Sequence, residues 1–376
     1  MTASYDIEIT RDWAAFAPRW SAIVGQLRAS PFQKPIWLAN WYGAMPAATG
    51  VAPLFVAVRD RRTGADVLLL PLVTRRARGL DIVEFADLDI TDCNAPAVAP
   101  GLLADPAAAA DAIAAVRAAL PRCDVLRLTK MPTMIGGHAN PLAAPTLDRP
   151  STTDSLPTWS VHAPGSWDDY LKSLDRYTRK ELGRSLRLCE QIGPTRLVRA
   201  RTAAEGLAIL DVVDALQRER LARTQTRHVF DDPGPRNFYR SLVTDGVPDG
   251  DTLAMGLEIG GEVVAGVIGV LDRPRVTVLR IANRTGDYAR IGLGRVLLEQ
   301  TFKALHAEGF THLDLSIGDG EHKRRLGGTS ELLVERVEAM SLRGGMAIAA
   351  GRAKALVKRR LPAAAALASR LRRPRA

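Results

Sequence analysis

The chain has 376 residues, of which 47% are hydrophobic and 24% charged, a composition typical of soluble globular proteins of about two domains. The N-terminal residues lack the basic flank and apolar segment of a signal peptide, and no run of about 18 apolar residues predicts a spanning helix. The three cysteines, Cys93, Cys123 and Cys189, are odd in number and far apart. Their spacing favours a reducing cytoplasm over a disulfide framework.

The net charge of +10 lies almost entirely at the C-terminus. Residues 346–376 contain nine Lys or Arg and no Asp or Glu, which leaves +1 on the rest of the chain. A nearly neutral body argues against a nucleic-acid partner. The tail alternates Ala and Leu with Arg and Lys, which is compatible with peripheral contact with an anionic membrane or with a solvated terminus.

The first half predicts a hairpin, a third strand, a helix and a closing strand. A turn at residues 61–64 separates the hairpin strands, and Pro106 stands in the first turn of the helix. The strands are predicted at 53–59, 66–73, 81–85 and 124–128, and the helix at 106–120.

The second half repeats this order. Gly260-Gly261 predicts the hairpin turn. The strands are predicted at 252–259, 262–271, 275–282 and 311–316, and the helix at 293–308. Further helices are predicted at 166–192 and 203–224, and the segment 132–157, rich in Pro, Gly, Ser and Thr, is the expected linker region. The chain is therefore divided into residues 1–150, 151–345 and a basic tail, 346–376.

A glycine turn joins a strand to a helix in the second half. Gly292-Leu293-Gly294 follows an apolar strand and a polar loop and precedes an amphipathic helix. Glycines there would let the N–H groups of the helix N-terminus reach an anion such as a pyrophosphate. Such a turn is equally compatible with close packing alone. The third glycine of a dinucleotide fingerprint is absent, Leu297 standing in its place, and so is the Gly-Lys-Ser/Thr of a P-loop.

The strand, the glycine turn, the helix ending in Glu308-Gly309-Phe310 and the strand around Asp314 resemble the acyl-CoA motif of the GNAT superfamily. More narrowly, most of the chain resembles CelD/BcsL-type (BioF-like) acetyltransferases, named for a link to cellulose biosynthesis. The residues that carry this narrower resemblance are Pro31-Phe32-Gln33, Trp37, Trp41, Leu70-Pro71-Leu72, Asp92, Asn94-Ala95-Pro96, Tyr170-Leu171, Arg179, Arg184 and the segments 294–298 and 318–325.

The resemblance implies an α/β fold of mixed α+β type, with tandem GNAT-like domains that are each a splayed, mixed β-sheet flanked by helices. It implies an acyltransferase with acetyl-CoA or another acyl-CoA as co-substrate and no metal. The acceptor would be an amine or hydroxyl of a small molecule or glycan precursor. The first half, which lacks a glycine turn before its helix, is expected to be a degenerate unit without cofactor.

The implied site residues fall into three groups. The cofactor is expected at Arg290, Ile291, Gly292, Leu293, Gly294 and Arg295; catalysis at Asp314, Glu321 and His322; and the substrate at Arg179, Arg184, Asp319 and Lys323. The chain departs from the family pattern at Ala289, where Gln or Arg is usual, and at His322, where Tyr is common. A reference pKa near 6.5 suits His322 for proton transfer.

Other interpretations remain open. A Fem-like aminoacyl transferase would have a long helical arm and a basic body, and a non-catalytic protein of a polysaccharide-synthesis complex would keep the fold alone. The basic stripe Arg176, Lys180, Arg184 and Arg187 is expected either to bind an anion or to face solvent. Trp37 and Trp41 are expected in the core rather than on a sugar-binding surface. The six histidines show no metal-ligand spacing.

Overall fold

A computed structural model describes residues 4–26, 30–143, 156–223 and 226–360. The strands are β1 (Tyr5–Thr10), β2 (Ala52–Asp60), β3 (Asp66–Ala77), β4 (Leu80–Phe85), β5 (Ala97–Val98), β6 (Val125–Met131), β7 (Met134–Ile135), β8 (His138–Ala139), β9 (Pro157–His162), β10 (Thr195–Arg199), β11 (Thr252–Ile259), β12 (Glu262–Asp272), β13 (Arg275–Asn283), β14 (His312–Ile317), β15 (Thr329–Leu332) and β16 (Val334–Ala339). The helices are α1 (Trp13–Val24), α2 (Pro35–Thr49), α3 (Pro100–Leu103), α4 (Pro106–Ala119), α5 (Trp167–Ser173), α6 (Arg176–Ile192), α7 (Ala203–Ala222), α8 (Pro233–Asp249), α9 (Leu293–Ala307), α10 (Glu321–Arg325) and α11 (Leu342–Arg360).

These elements form two large mixed sheets. The first has the order β1-β2-β3-β4-β6-β16, with β5 also paired to β3, and the second has the order β10-β11-β12-β13-β14-β9-β15. Each large sheet contains one parallel pair, β4 with β6 in the first and β13 with β14 in the second. The other paired strands are antiparallel. The hairpin β7-β8 stands apart.

The chain uses one order of elements twice. A strand (β1 or β10) leads to a helix (α1 or α7), a short 3₁₀ turn, a second helix (α2 or α8), three antiparallel strands, a helix (α4 or α9) and a parallel strand. Helices α2 and α8 end alike, at Gly50 and Gly250 in the left-handed conformation, with φ of 73° and 76°. The predicted repeat of supersecondary order is thus present and extends further towards the N-terminus of each unit than the sequence pattern indicated.

The two units exchange a strand. Strand β9 follows the first unit in the chain but pairs with β14 in the second sheet, from His312↔His162 onwards. Strand β16 follows the second unit but pairs with β6 in the first sheet, from Val334↔Met131 onwards. Each of these two strands comes after the repeated elements of one unit, β1–β6 or β10–β14, and pairs in the sheet of the other unit.

The exchange bears on the predicted division of the chain. The division at 150/151 falls within residues 144–155, outside the described residues, and stays a prediction. Residues 334–345, which the sequence assigned to the second unit, contain β16, which belongs to the first sheet. The assignment of that stretch is corrected because its ladder partner is β6.

The helices between the sheets form a shared core. Helices α1 and α2 from the first unit and α7 and α8 from the second contribute to one continuous apolar cluster. The ring of Trp37 on α2 meets that of Phe238 on α8 edge to face, with centroids 4.8 Å apart. Trp37 and Trp41 are both fully buried, so the interpretation of these two residues as core is confirmed. Two further cores lie beneath α9 and beneath α4.

The strands and helices predicted in the two units are confirmed within a few residues. The helix predicted over 166–192 is instead two helices, α5 and α6, because the chain leaves helical geometry at Leu174-Asp175. Asp175 then caps α6, accepting a hydrogen bond from the Thr178 N–H at 2.9 Å. None of the helices in the described part of the chain combines the length and apolarity needed to cross a membrane.

Candidate active site

The parallel strands of the second sheet separate soon after they meet. Strands β13 and β14 pair at only three positions, ending at Thr277↔Asp314. Next along β13, a bulge lies opposite Ile268-Gly269, so Leu279 has no partner on β12. The hydroxyl of Ser316 donates a hydrogen bond to the Val278 carbonyl at 2.7 Å and holds the two strands together where the ladder has ended. Beyond this point the two strands share no ladder pair, and the region between them is called the wedge below.

Lys323 shapes the end of β14. Its ammonium group is buried and donates hydrogen bonds to three consecutive carbonyls, Ser316 at 3.0 Å, Ile317 at 2.8 Å and Gly318 at 3.0 Å. Ser316 has a φ of 61°, an unusual conformation for a residue with a side chain. Burial lowers the pKa of Lys323. Its predicted role in substrate binding stays a prediction, whereas its observed contacts are structural.

Lys323→Met is expected to destabilise the fold by about 2–4 kcal/mol, because three buried carbonyls lose a charged donor. Urea unfolding measures this change. Lys172→Met is the matched control, since the Lys172 side chain is 78% exposed and its carboxylate partner is 4.0 Å away. Equal stability of the two variants would contradict the structural role of Lys323.

The glycine turn begins α9. Gly292 is the N-cap in the left-handed conformation, with φ of 75° and ψ of 45°, which glycine adopts without strain. A Cβ on Gly294 would lie 3.1 Å from Oδ1 of Asn283 on β13. The N–H groups of Leu293 and Gly294 occupy the first turn, where an α-helix leaves its amides without intrahelical partners. The turn thus allows close packing of α9 against β13 and also leaves backbone N–H groups free to donate hydrogen bonds to a ligand.

The side chains around this turn point in different directions. Ile291 and Leu293 are buried in the second unit's core, so only their backbone groups could meet a ligand. Arg290 is exposed. Arg295 lies over the turn, and its guanidinium is 3.6 Å from the Glu181 carboxylate on α6. The predicted cofactor contacts of all these residues stay predictions.

A loop of the first unit, residues 86–94, extends to the wedge between β13 and β14. The indole N–H groups of Trp37 and Trp41 donate hydrogen bonds to it, at Thr91 Oγ1 (3.3 Å) and the Asp87 carbonyl (3.2 Å). The Asn94 side chain ties it to the Thr129 carbonyl at 3.0 Å. Several residues that carry the family resemblance therefore hold this loop in place.

The loop brings Asp92 to the second unit. Its carboxyl lies beside the side chain of Ser316, the residue that bridges β13 and β14. Burial raises the pKa of Asp92 to about 6, and the nearby Lys130 opposes this rise. The sequence marked Asp92 only as part of the resemblance. Its catalytic potential depends on a contact between residues 224 positions apart, and no local pattern reveals such a contact.

Asp314 lies on the other side of Ser316. Its Oδ1 accepts a hydrogen bond from the Ser316 N–H at 2.8 Å, and the guanidinium of Arg275 is 4.0 Å from Oδ2. Burial raises the pKa of Asp314, against the influence of that hydrogen bond and of Arg275. Two carboxyl groups, one from each unit, are thus both shifted towards proton uptake at the same bridging serine.

A cavity of about 650 Å³ opens between the two units, and its wall includes Asp314 and Cys93, the chain neighbour of Asp92. Its volume is within the range typical of small-molecule sites. The polar residues that line it come from both units: Gln26, Ser30, Gln33, Cys93, His138, Thr158, Arg275, Asp314 and Glu331. Gln33 is 2% exposed and its Oε1 has no hydrogen-bond partner among the described residues. An unpaired buried acceptor favours a ligand that donates hydrogen bonds.

Cys93 lies in this cavity but is a poor nucleophile. Burial, reinforced by the negative charge of Asp314, raises the pKa of its thiol to about 12. Only the thiolate attacks an acyl group readily. The arrangement therefore favours direct transfer over an acyl-cysteine intermediate.

The other predicted catalytic residues lie on the exposed segment that begins α10. Glu321 forms an ion pair with Arg325 at 2.6 Å, and Asp319, a predicted substrate residue, pairs with Arg324 at 3.1 Å. His322 is exposed, and partial burial together with Lys323 lowers its pKa, so the imidazole is neutral at pH 7. The roles of these residues in catalysis or binding stay predictions, and the chemistry proposed below does not use them.

The predicted substrate residues on α6 have structural partners. The guanidinium of Arg179 caps the end of α5 by donating to the carbonyls of Lys172 (2.8 Å) and Leu174 (2.5 Å). Arg184 is 53% exposed at its side chain and lies 3.9 Å from Glu181. The rest of the basic stripe, like Arg184, faces solvent. The solvated-face interpretation fits this geometry, and an anion-binding role stays a prediction.

In the first unit the parallel strands also stop pairing early, and a lysine lies at the corresponding point. Strands β4 and β6 pair at three positions, and Lys130, with φ of 55°, then extends its ammonium to Asp87 and to the Thr91 carbonyl, both at 3.0 Å. At the start of α4 the Asp105 carboxylate already accepts the N–H groups of Ala107 and Ala108. A carboxylate at that position would repel a phosphate. These features give a physical reason for the predicted degeneracy of this unit.

Two mixed sheets, each with a parallel pair that splays beside a helix, define the tandem acyltransferase fold that the sequence predicted. Residues 176–324 match the family model described as an acetyltransferase (GNAT) domain, so the second unit carries a domain of that class. The fold class is thereby confirmed. No curated protein matched the chain.

Three solved structures resemble the chain at 13% sequence identity. FemX has a TM-score of 0.57, with 89% of this chain and 96% of FemX covered. The C-terminal domain of a putative lysylphosphatidylglycerol synthetase from Agrobacterium fabrum has a TM-score of 0.50, with coverage of 93% and 97%. A tandem GNAT protein from the clavulanic acid biosynthesis pathway has a TM-score of 0.47, with coverage of 89% and 99%.

Proposed function

We propose that the protein is an acyl-CoA-dependent acyltransferase that transfers its acyl group, in the simplest case acetyl, directly to an amine or hydroxyl. The observation that carries the proposal is the early end of the pairing between β13 and β14, with the glycine turn of α9 following β13 and Asp314, on the cavity wall, in β14. The co-substrate supplies a thioester. Its acyl carbon bonds to the acceptor nitrogen or oxygen while the C–S bond breaks and CoA leaves as the thiol.

In this proposal the glycine turn holds the pyrophosphate of CoA. The N–H groups of Leu293 and Gly294 point out of the N-terminus of a 15-residue helix, where the dipole favours an anion. Arg295 and Arg290 add positive charge beside them. The Arg295–Glu181 distance of 3.6 Å leaves room for the guanidinium to turn towards a phosphate.

Asp92 is proposed as the group that takes the acceptor's proton. A carboxylate with a pKa of about 6 is largely ionised at pH 7 yet basic enough to share a proton with an attacking amine or hydroxyl. Asp314, on the cavity wall, orients the acceptor by accepting a second hydrogen bond. The proton then passes to the leaving thiolate, so no net proton remains on the protein.

The cavity supports a small polar acceptor. Gln33 Oε1, Asp314 and Glu331 offer hydrogen-bond acceptors, and Ser30 and Thr158 offer hydroxyls. A glycan precursor or amino sugar, rich in O–H and N–H donors, fits this lining. The resemblance to CelD/BcsL-type proteins supports the same class of acceptor, with cellulose or exopolysaccharide synthesis as the proposed setting. The odd number of free cysteines supports a reducing cytoplasm as the proposed compartment.

The alternative is a Fem-like aminoacyl transferase, which the likeness to FemX favours at the level of fold. Such an enzyme was expected to carry a long helical arm. Among the described residues the longest helix, α7, has 20 residues and packs in the shared core. Supplying the purified protein with acetyl-CoA or with charged tRNA as sole donor, and measuring CoA release or tRNA deacylation, separates these two functions.

Gly294→Glu is expected to abolish acetyl-CoA binding, because a carboxylate at the second helical residue would repel the pyrophosphate. Bound ligand at about a hundredfold excess over Kd stabilises a protein by roughly 3 kcal/mol, so thermal unfolding with and without acetyl-CoA gives a clear readout. The variant should lose this stabilisation, and any change in its ligand-free transition is compared with that of Gly294→Ala, which adds the same Cβ beside Asn283.

Gly101→Glu is the matched control, in the short helix α3 that precedes α4, the counterpart of α9, where nothing lies within 4 Å of an added Cβ. It should leave the ligand-induced shift intact. Gly294→Ala adds only one methyl group against Asn283. It tests whether tighter packing, without a charge, is enough to remove the stabilisation by acetyl-CoA. A ligand-induced shift that survives Gly294→Glu would show that the cofactor binds elsewhere.

A further inference from the structure

Helix α11 carries an apolar stripe that faces solvent. Leu342, Met346, Ala349, Ala350 and Ala353 follow the spacing i, i+4, i+7, i+8, i+11, which places them on one side of a helix. All five are exposed, Leu342 by 89% and Met346 by 66%. These two are the most exposed large apolar side chains among the described residues. A surface helix ordinarily turns such a stripe towards the core.

The orientation of the helix is fixed by its opposite side. A Cβ on Gly344 would lie 1.8 Å from the Asp124 carbonyl, so the helix backbone lies directly against the start of β6. Ser341 donates a hydrogen bond to the Asp124 carboxylate at 2.5 Å and accepts one from the Gly344 N–H at 3.1 Å. The side of α11 that carries Gly344 therefore packs against β6. The apolar stripe lies on the opposite side of the helix and faces solvent.

Positive charge flanks the stripe. Arg343, Arg352 and Lys354 are exposed on either side of it. From residue 346 to the C-terminus the sequence holds nine Lys or Arg and no acidic residue. An apolar face bordered by cations matches the interface of an anionic bilayer, where aliphatic groups enter the acyl boundary and cations meet the lipid phosphates. A nucleic acid would use the charges but leave Leu342 and Met346 in water.

We infer that α11 docks the protein onto the surface of a membrane that contains anionic phospholipid, with Leu342 and Met346 inserted at the interface. The docking is peripheral. It attaches the protein through the helix that follows β16, the edge strand of the first sheet. Lipid-linked acceptors would thereby be concentrated near the site. The docking itself does not depend on the proposed enzymatic function.

The test is cosedimentation of the full-length chain with vesicles. Vesicles of equal parts phosphatidylcholine and phosphatidylglycerol should carry the protein down, and vesicles of phosphatidylcholine alone should not. Leu342→Ser with Met346→Ser keeps every charge and should weaken partitioning at least about tenfold, because two buried aliphatic side chains are lost. Arg352→Gln with Lys354→Gln should weaken it as well, and rising salt should mimic that loss.

Ile192→Ser is the matched control, since Ile192 is a large apolar residue that is 51% exposed on a different helix, α6. It should bind vesicles like the unmodified chain. Equal sedimentation with both kinds of vesicle, or unchanged sedimentation of the Leu342/Met346 variant, would overturn the inference. A gel shift with duplex DNA that is insensitive to the Leu342/Met346 change, without vesicle binding, would identify a nucleic acid as the partner instead.

Discussion

Asp92→Asn is expected to lower kcat by about 10²–10⁴-fold with acetyl-CoA as donor, the usual contribution of a positioned general base. The amide keeps the size and hydrogen-bonding capacity of the carboxyl beside Ser316 but cannot take a proton. In the unmodified protein, kcat/KM should fall as the pH drops through about 6, the raised pKa of Asp92. This acid limb should disappear from the residual activity of the variant. The rate of release of the CoA thiol measures both the fall in kcat and the pH dependence of kcat/KM.

The same substitution is expected to stabilise the fold above pH 7. The folded pKa of Asp92, about 6, exceeds its ordinary value of 3.8, so the folded state binds the proton more tightly. The ionised carboxylate therefore costs stability above pH 6, and this cost disappears as the pH falls towards 4. The shift corresponds to at most about 3 kcal/mol. Thermal unfolding at pH 8 should show Asp92→Asn above the unmodified chain, and at pH 4 the difference should vanish.

Asp89→Asn is the control for both measurements. It lies in the same loop, its side chain is 99% exposed, and asparagine tolerates its positive φ of 62°. Activity should stay within about twofold of the unmodified protein, as for most surface substitutions. A loss of activity accompanied by a loss of stability in Asp92→Asn would identify Asp92 as a structural residue. Full activity of the variant would remove it from the proposed chemistry.

The local features of the second unit were predictable because each depends on neighbouring residues. The strand that ends at Asn283, the glycine turn and α9 lie within about thirty residues, and their periodicity and turn chemistry suffice to locate them. Gly292 has the positive φ that its position required. The break between α5 and α6 went unnoticed because Asp175 can continue a helix or cap one, and only the three-dimensional packing decides between these.

The assembled site was not predictable from local patterns. Asp92 lies beside Ser316 only because two other elements hold the loop 86–94, α2 through the indole N–H groups of Trp37 and Trp41 and β6 through a carbonyl that accepts from Asn94. The family resemblance implied a substrate-binding role for Lys323, in the segment 318–325. Lys323 is instead buried beneath three carbonyls, and a sequence does not show which backbone groups lack partners. The exchanged strands were missed for the same reason, since pairing is non-local.

The strand exchange leads to the second large expected effect. A chain that ends at residue 333 lacks β16, so the edge of β6 is left without its partner strand. It also lacks Glu338, whose side chain is 1% exposed and forms an ion pair with Arg117 at 2.8 Å. The loss is expected to be comparable to the whole folding free energy of about 5–15 kcal/mol. This chain should aggregate or unfold without a cooperative transition, although the second unit's own sheet is intact in sequence.

A chain that ends at residue 340 provides the matched comparison, because it removes α11 and the basic tail but keeps the β6–β16 ladder, from Val334↔Met131 to Ala339↔Val125. Circular dichroism melts should show a cooperative transition for this chain and none for the shorter one. Acetyl-CoA should still stabilise the chain that ends at 340, since the glycine turn and β14 belong to the other sheet. A cooperative, ligand-responsive chain ending at 333 would mean that β16 is dispensable and that each unit folds without its exchanged strand.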